Sequence, residues 1–239
     1  MTSHLDLLEQ EAEAELWLLK NCGIGSGGFQ PGNTCARGGG GAGNDAKERA
    51  EARTRGEGDS FSEGEKYNWK PAEEALLKGR GDLDEEQKKA IKSYTGNGYE
   101  KMNNHLRDGR PLTPKMQKIQ DAAARELPSP QIVYRGVSNE GDFADSLRQL
   151  VAGDEVTASG FVSTTLSPTV ASSMSSTIME IRPKRGVYID DVVKSKKGER
   201  ELIQAHGTKY KFLGAEDAEI AVNYGSGKKK VRLFMLEEI

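Results

Sequence analysis

The sequence has few cysteines, no long apolar run and little excess charge of either sign. Cys22 and Cys35 are its only cysteines; they lack the four-ligand spacing of a structural zinc site and predict no disulfide framework. No apolar run reaches the length that a membrane-spanning helix needs, so no membrane partner is expected. A net charge of -3 over 239 residues gives no overall argument for nucleic-acid binding, so no nucleic-acid partner is expected either.

Residues 1–22 have the pattern of an amphipathic helix rather than that of a secretory signal. The apolar positions that recur at helical spacing after Ser3 are Leu5, Leu8, Ala12, Leu16 and Leu19. The start of the segment is acidic and lacks a basic region and a small-residue cleavage site, so we expect a soluble protein without a signal peptide. The acidic polar face favours docking on the main domain, a partner or a virion component over a membrane surface.

Residues 23–66 are rich in glycine and then in charge. Such a composition buries too little apolar surface to offset the entropy lost on ordering, and it predicts a flexible linker. A phosphate-binding loop is disfavoured, because no Lys-Ser/Thr pair ends the glycine run and no apolar strand precedes it. The chain contains 28 glycines and 35% hydrophobic residues, so the core is expected to be concentrated in residues 67–239.

Residues 67–239 are expected to hold helices first and strands second. Helices are predicted over Leu83–Tyr94, around Tyr99–Leu106 and from Thr113 towards Leu127, with a turn at Thr95–Gly98. Short runs rich in β-branched and aromatic residues then predict strands at Ile132–Val137, Gly160–Leu166, Thr177–Ile181, Gly186–Asp190, Arg200–Ala205, Lys209–Leu213 and Val231–Leu236. This order predicts an α+β fold rather than a doubly wound parallel sheet.

Two of the predicted strands carry polar groups that suit a binding site. Arg135 offers a forked donor, and Gly136 beside it lets a ligand approach the backbone, a combination that suits a pyrophosphate. A surface ion pair is the alternative for this arginine. Ser163, Thr164 and Thr165 place hydroxyls on both faces of a strand, where they either orient a neighbouring carboxylate or are satisfied by the backbone.

A third stretch, "GERELI", places two glutamates one residue apart. On a strand Glu199 and Glu201 would share one face while Arg200 takes the other. Both carboxylates are then either solvated or turned towards a ligand cleft. In a cleft their repulsion is tolerable where cationic substrate groups lie between them, or where one carboxyl takes up a proton.

In this order the three stretches resemble the R-S-E group of mono-ADP-ribosyltransferases, in particular its actin-modifying binary-toxin and exoenzyme branch. The stretch "SYTGNGYEKMNNHLR", Ser93–Arg107, is similar to the helix-turn-helix before the catalytic sheet of that branch. The stretches "GVYIDDVV" and "GERELIQAHGTKYKFLG" have its strand-turn-strand order. The resemblance covers most of residues 67–239 and implies two abutting, mainly antiparallel sheets with NAD in the cleft between them.

The resemblance also implies roles for single residues. Arg135 would hold the NAD phosphates, Ser163 would orient Glu201, Glu201 would engage the nicotinamide ribose, and Glu199 would handle the acceptor. Further positions expected to bind the cofactor are Gly136, Tyr94, Tyr99, Thr164, Thr165, Asn103 and Arg107.

The expected function is transfer of ADP-ribose from NAD, a glycosyl transfer that needs no metal, to an arginine of a target protein. The loop Lys194–Gly198 would face the target. Such a toxin-like effector would act in the cytosol of a host cell. An NAD glycohydrolase, or a non-catalytic virion-associated or partner-binding protein with a degenerate NAD cleft, remains as an alternative.

The sequence departs from the family pattern at three places. The hydroxyl motif has Thr165 where the family usually has serine, and "TIMEIRP" lacks the arginine of binary toxins, with Arg182 out of register. The N-terminal residues do not match the cell-docking domain of the toxins. The stretch "GGFQPGNTC", Gly27–Cys35, is instead similar to glycine-rich segments of phage head-associated proteins, so a phage-borne enzyme is a further hypothesis.

Overall fold

The computed structural model describes residues 70–137, 142–193, 199–221 and 228–239. The predicted N-terminal helix, the glycine-rich linker and both cysteines lie outside the described residues, and so does the loop at residues 194–198. Among the helices of the described ranges, none combines the length and the apolar character needed to cross a membrane.

Helices form the first part of the described chain, and local sequence signals explain where they begin. The four helices are α1 (Lys70–Arg80), α2 (Glu85–Ser93), α3 (Tyr99–Arg107) and α4 (Pro114–Ala123). Helix α2 begins at a capping box, in which Asp84 Oδ1 accepts from the backbone N–H of Gln87 at 2.7 Å. Helix α4 begins at Thr113, whose Oγ1 accepts from the N–H of Met116 at 3.3 Å. Helices α2, α3 and α4 were predicted from the sequence, whereas α1 was not.

The predicted turn between α2 and α3 is a π-helical turn, Tyr94–Gly98. Its backbone leaves helical geometry at Gly96, which has a ψ of -115°. The helix-turn-helix therefore has no extended linker, and α3 follows α2 almost directly.

Eight strands and two further helices make up the rest of the described chain. The strands are β1 (Val133–Val137), β2 (Glu155–Thr157), β3 (Val162–Thr165), β4 (Thr177–Arg182), β5 (Val187–Tyr188), β6 (Glu201–Gln204), β7 (Lys209–Ala221) and β8 (Lys228–Glu238). The helices are α5 (Asp142–Gln149) and α6 (Pro168–Met174). Helices followed by a mainly antiparallel sheet confirm the predicted α+β class; among the described strands, only β4 and β8 pair in parallel.

The structure corrects one detail of the expected architecture, the number of sheets. The strands form one sheet in the order β2-β7-β8-β4-β1-β3-β6-β5. Strands β1 and β3 share a single register pair, Tyr134 with Thr165, whereas β1 runs along β4 from Val133 to Val137. The two expected sheets are thus joined through one residue pair, and the predicted site residues lie on the strands that meet there.

The helices α2, α3 and α4 pack on the part of the sheet that contains β3, β5 and β6. Buried members of this contact include Ile91, Tyr94, Leu106, Ile119, Phe161, Val187 and Ile203. Their burial removes apolar surface from water, which is the main stabilising term for such a layer. The helical layer therefore lies against the strands that carry Ser163 and Glu201.

Candidate functional site

Three residues that are distant in the sequence form one hydrogen-bonded chain. Arg135 lies in β1, Ser163 in β3 and Glu201 at the start of β6, and these strands are neighbours in the sheet. Arg135 Nη1 donates to the backbone carbonyl of Ser163 at 2.8 Å, and Ser163 Oγ donates to Glu201 Oε1. The residues that the three motifs singled out therefore lie side by side.

The strand register explains why the serine meets the glutamate. Strand β3 pairs with β6 so that Thr165 lies opposite Glu201 and Ser163 lies opposite Ile203. Ser163 and Glu201 are thus diagonal neighbours on one face, within reach of polar side chains. Only 7% of Glu201 is exposed, so this carboxylate depends on protein donors more than on water.

Glu199 is not placed by the strand alternation that the sequence suggested. Strand β6 begins at Glu201, and Arg200 has a φ of +50°, in the left-handed region. The backbone therefore turns between the two glutamates, and the predicted strand beginning at Arg200 is corrected by one residue. Glu199 is half-buried while Glu201 is buried, so the two carboxylates differ in their exposure to water.

The turn that carries Glu199 is held by the end of β3. Thr165 Oγ1 donates to the carbonyl of Glu199 at 2.6 Å, and the N–H of Leu166 donates to the carbonyl of Arg200 at 3.1 Å. Thr165 also accepts from the N–H of Ser167 at 3.0 Å. The third hydroxyl of the Ser-Thr-Thr motif thus acts on the backbone of the glutamate turn.

Sequence reasoning missed two acidic residues beside this turn. The N–H of Glu201 donates to Asp190 Oδ1 at 3.2 Å, and Glu73 Oε1 accepts from Tyr188 Oη at 2.9 Å. Burial, with the nearby Asp190 carboxylate, raises the pKa of Tyr188 well above its ordinary value, so the phenol stays a donor. The acidic pair after "GVYI" was the only local signal for Asp190, and none marked Glu73.

Tyr94 and Asn103 lie in the helical layer, against the residue that precedes β3. Asn103 Oδ1 accepts from the N–H of Phe161 at 2.9 Å, and Asn103 Nδ2 lies 3.4 Å from the carbonyl of Phe161. Tyr94 Oη donates to the same carbonyl at 3.3 Å, and its ring meets Phe161 edge-on at 5.6 Å. A Cβ on Gly160 would lie 2.8 Å from Asn103 Oδ1. The two side chains thus position the start of β3.

The remaining predicted site residues are spread over both layers. Arg107 is buried and donates to Asn104 Oδ1 at 2.8 Å, and Tyr99 is half-buried against the helical cluster. Thr164 Oγ1 donates to the carbonyl of Leu202 at 2.8 Å. Their assignment to the cofactor stays a prediction.

The close approach that Gly136 permits is to a helix. A Cβ at this position would lie 2.6 Å from the carbonyl oxygen of Ala171 in α6. The missing side chain therefore lets α6 pack on β1 beside Arg135. Whether a ligand also approaches this backbone stays a prediction.

The described residues offer no preformed metal centre. Within the ranges that the structure covers, no group of three or more His, Cys, Asp or Glu side chains is arranged to hold a metal ion. The polar groups at the junction of β1, β3 and β6 are instead a guanidinium, a hydroxyl and a carboxylate. Such a set suits an anionic and a cationic part of one substrate.

Comparison with known proteins points to one family. The family model for the ADP-ribosyltransferase exoenzyme matches residues 66–237, which include all three motifs. No curated protein sequence matches.

Several solved structures share the fold at low sequence identity. The enzymatic component C2-I of the C2-toxin from Clostridium botulinum has a TM-score of 0.57 and 20% identity, over 76% of this chain and 49% of that one. The ADP-ribosyltransferase toxin Plx2a from Paenibacillus larvae has a TM-score of 0.56 and 22% identity, over 71% and 94%. Exoenzyme S from Pseudomonas aeruginosa, bound to carba-NAD, has a TM-score of 0.51 and 22% identity, over 71% and 88%. The chain thus spans about half the length of C2-I.

Proposed function

The chain belongs to the ADP-ribosyltransferase exoenzyme family, and on this premise we propose that it transfers ADP-ribose from NAD to an arginine side chain of a target protein and releases nicotinamide. The observation that carries the proposal is the hydrogen-bonded chain from Arg135 through Ser163 to Glu201. It places a guanidinium, which can donate to phosphate, next to a buried carboxylate in the sheet. The carba-NAD bound in Exoenzyme S supports NAD as the donor.

Glu201 is proposed to stabilise the cation that forms at the ribose. When the bond between the ribose C1′ and the nicotinamide nitrogen breaks, the electron pair leaves with nicotinamide and positive charge develops on the sugar, as in glycoside hydrolysis. A carboxylate already held in place stabilises this sugar cation more than it stabilises the ground state, in which the positive charge lies on the nicotinamide ring. Ser163 Oγ donates to one oxygen of Glu201, so it restricts the rotation of that carboxylate.

Arg135 is proposed to bind the pyrophosphate of NAD. Its Nη1 donates to the carbonyl of Ser163 at 2.8 Å, which fixes the plane of the guanidinium while other N–H groups can point towards phosphate oxygens. The distance between phosphate and nicotinamide ribose then determines where the sugar lies relative to Glu201. Strand β3 alone separates β1 from β6 in the sheet, which supports this arrangement.

Glu199 is proposed to bind the acceptor arginine and to take its proton. An arginine acceptor is protonated in water, so a half-exposed carboxylate can bind it bidentately and take its proton as a guanidine nitrogen attacks C1′. Glu199 is half-buried, unlike Glu201, which suits contact with a second protein. The repulsion between the two glutamates is offset in this scheme by the sugar cation and the acceptor cation.

The test is transfer of label from NAD to proteins of a host-cell lysate by the full chain. We expect the wild type to label protein and Glu201→Gln to lose about 10²- to 10³-fold of the rate, as for removal of one electrostatic stabiliser. Glu219→Gln, an exposed glutamate of β7, is the matched control and should keep wild-type activity. Label transfer that survives in Glu201→Gln would contradict the role of this residue.

A second substitution separates transfer from NAD hydrolysis. Glu199→Gln removes the carboxylate that would bind the acceptor arginine, so transfer should fall while slow cleavage of NAD by water persists. Mass spectrometry of labelled protein then identifies the modified residue. Modification of a residue type other than arginine would refute the arginine acceptor, and wild-type cleavage of NAD without any transfer would favour a glycohydrolase.

A further inference from the structure

Arg200 separates the two glutamates and turns its own side chain away towards helix α1. Its φ of +50° is the only positive value at a non-glycine residue among the described positions, and non-glycine residues held in this region are concentrated at functional sites. Its Nε lies 3.3 Å from Glu73 Oε1. The middle residue of the E-x-E motif therefore links the glutamate turn to a helix outside the sheet.

The ion pair is part of a small cluster that we name the Glu73 cluster, made of Glu73, Tyr188 and Arg200. Glu73 Oε1 accepts from Tyr188 Oη at 2.9 Å as well as pairing with Arg200. Tyr188 lies in β5 opposite Leu202 of β6. The side chains of Glu73 and Arg200 are 27% and 28% exposed, so the pair is partly shielded from water and screened less than a surface pair.

Glu201 is held by contacts that do not involve this cluster. It pairs with Thr165 across the sheet, accepts from Ser163 Oγ and donates its N–H to Asp190. Glu199 precedes the strand; Thr165 Oγ1 holds its carbonyl, and the rest of its backbone position depends on the turn at Arg200. Loss of the link to Glu73 should therefore move Glu199 more than Glu201.

We propose that Arg200 is a positioning residue, which acts through Glu73 to hold Glu199 where the acceptor binds. This inference rests on the proposed function, and it goes further by naming what decides between transfer and hydrolysis. In both reactions the C1′–nicotinamide bond breaks with departure of nicotinamide. In transfer a guanidine nitrogen bonds to C1′ and its proton passes to Glu199, whereas in hydrolysis a water oxygen bonds to C1′ and its proton passes to solvent.

A purely stabilising ion pair predicts a different result from a positioning one. If Arg200 only stabilised the fold, its loss would lower transfer and hydrolysis by the same factor and lower the melting temperature. If it positions Glu199, its loss lowers transfer alone, because the groups that cleave NAD stay in place. The ratio of transfer to hydrolysis therefore distinguishes the two roles.

The experiment measures both rates in the full chain, with NAD and a purified acceptor found in the labelled lysate. In Arg200→Gly the glycine adopts the left-handed backbone without strain and the guanidinium is removed. Glu73→Gln removes the negative charge that pairs with Arg200. We expect both to lower kcat/KM for the acceptor about 10- to 100-fold while hydrolysis and the KM for NAD stay within about threefold. Arg200→Lys, which keeps the charge, should recover most of the transfer.

Arg110→Gly is the matched control, because it removes an arginine from an exposed ion pair with Asp108 outside the helices and strands. Its ratio of transfer to hydrolysis should equal that of the wild type. An unchanged ratio in Arg200→Gly, or an equal loss of both reactions, would overturn the inference while leaving the proposed function intact. A wild-type chain that neither transfers ADP-ribose nor cleaves NAD would instead overturn the proposed function, and this inference with it.

Discussion

Replacement of Ser163 by alanine removes the hydroxyl that donates to Glu201 and leaves the strand pairing intact. Glu201 is 7% exposed, so water replaces the lost donor only in part. A hydrogen bond to a charged group contributes about 1.5–3 kcal/mol. If that contribution acts on the orientation of the carboxylate in the transition state, kcat falls about 10- to 150-fold, since each 1.36 kcal/mol changes a rate about tenfold.

The assay is the steady-state rate of nicotinamide release from NAD, with the melting temperature recorded for each variant. Ser172→Ala is the matched control, because Ser172 is also buried and its Oγ donates to the carbonyl of Thr169 at 3.0 Å, within α6 itself. We expect Ser163→Ala to lose kcat and the control to keep it. A Ser163→Ala variant that melts like the wild type and keeps kcat within about twofold would refute the orienting role.

Three further predictions concern the scaffold of the site. Gly136→Ala should lower the melting temperature by several degrees in calorimetry, because a Cβ 2.6 Å from the Ala171 carbonyl overpacks the contact with α6 by about 1–3 kcal/mol; an unchanged melting temperature would contradict that packing. Asn103→Ala should cost about 1–3 kcal/mol of unfolding free energy in urea, because it leaves the buried N–H of Phe161 without its acceptor, and Asn103→Asp should cost less. Burial lowers the pKa of His206 below 6.5, so the unfolded chain binds a proton on this side chain at a higher pH than the folded chain does. The free energy of unfolding should therefore fall as the pH drops below 6.5. Between about pH 8 and about pH 5, the melting temperature should fall less in His206→Gln than in the wild type.

Elements with strong local signals were predicted correctly. Helices α2 and α4 have an N-cap before them and an apolar stripe along them, and the runs of β1 and β4 are rich in β-branched residues. Four elements were missed: α1, α5, α6 and β2. Strand β2 has three residues, and α6 shows an N-cap at Ser167 and a proline at its start but carries small side chains instead of an apolar stripe.

The candidate site was predictable as a set of residues but not as a geometry. The motifs around Arg135, Ser163 and Glu201 could be found along the chain, and the family resemblance linked them. The left-handed conformation of Arg200 could not be predicted, because a positive φ is ordinarily signalled by glycine. Nor could the contact between Arg200 and Glu73, since the two residues lie on different elements and no local pattern joins them.

By itself the sequence determined the helices and strands that carry strong local signals, since caps, apolar spacing and β-branched runs act over a few residues. It also determined which side chains are available at the site. Only the tertiary structure decided that β1, β3 and β6 are neighbours, that Thr165 lies opposite Glu201, and that the chain turns at Arg200. The physical reason is that strand order and register depend on burying the helical layer and both sheet faces together, a condition set by the whole domain.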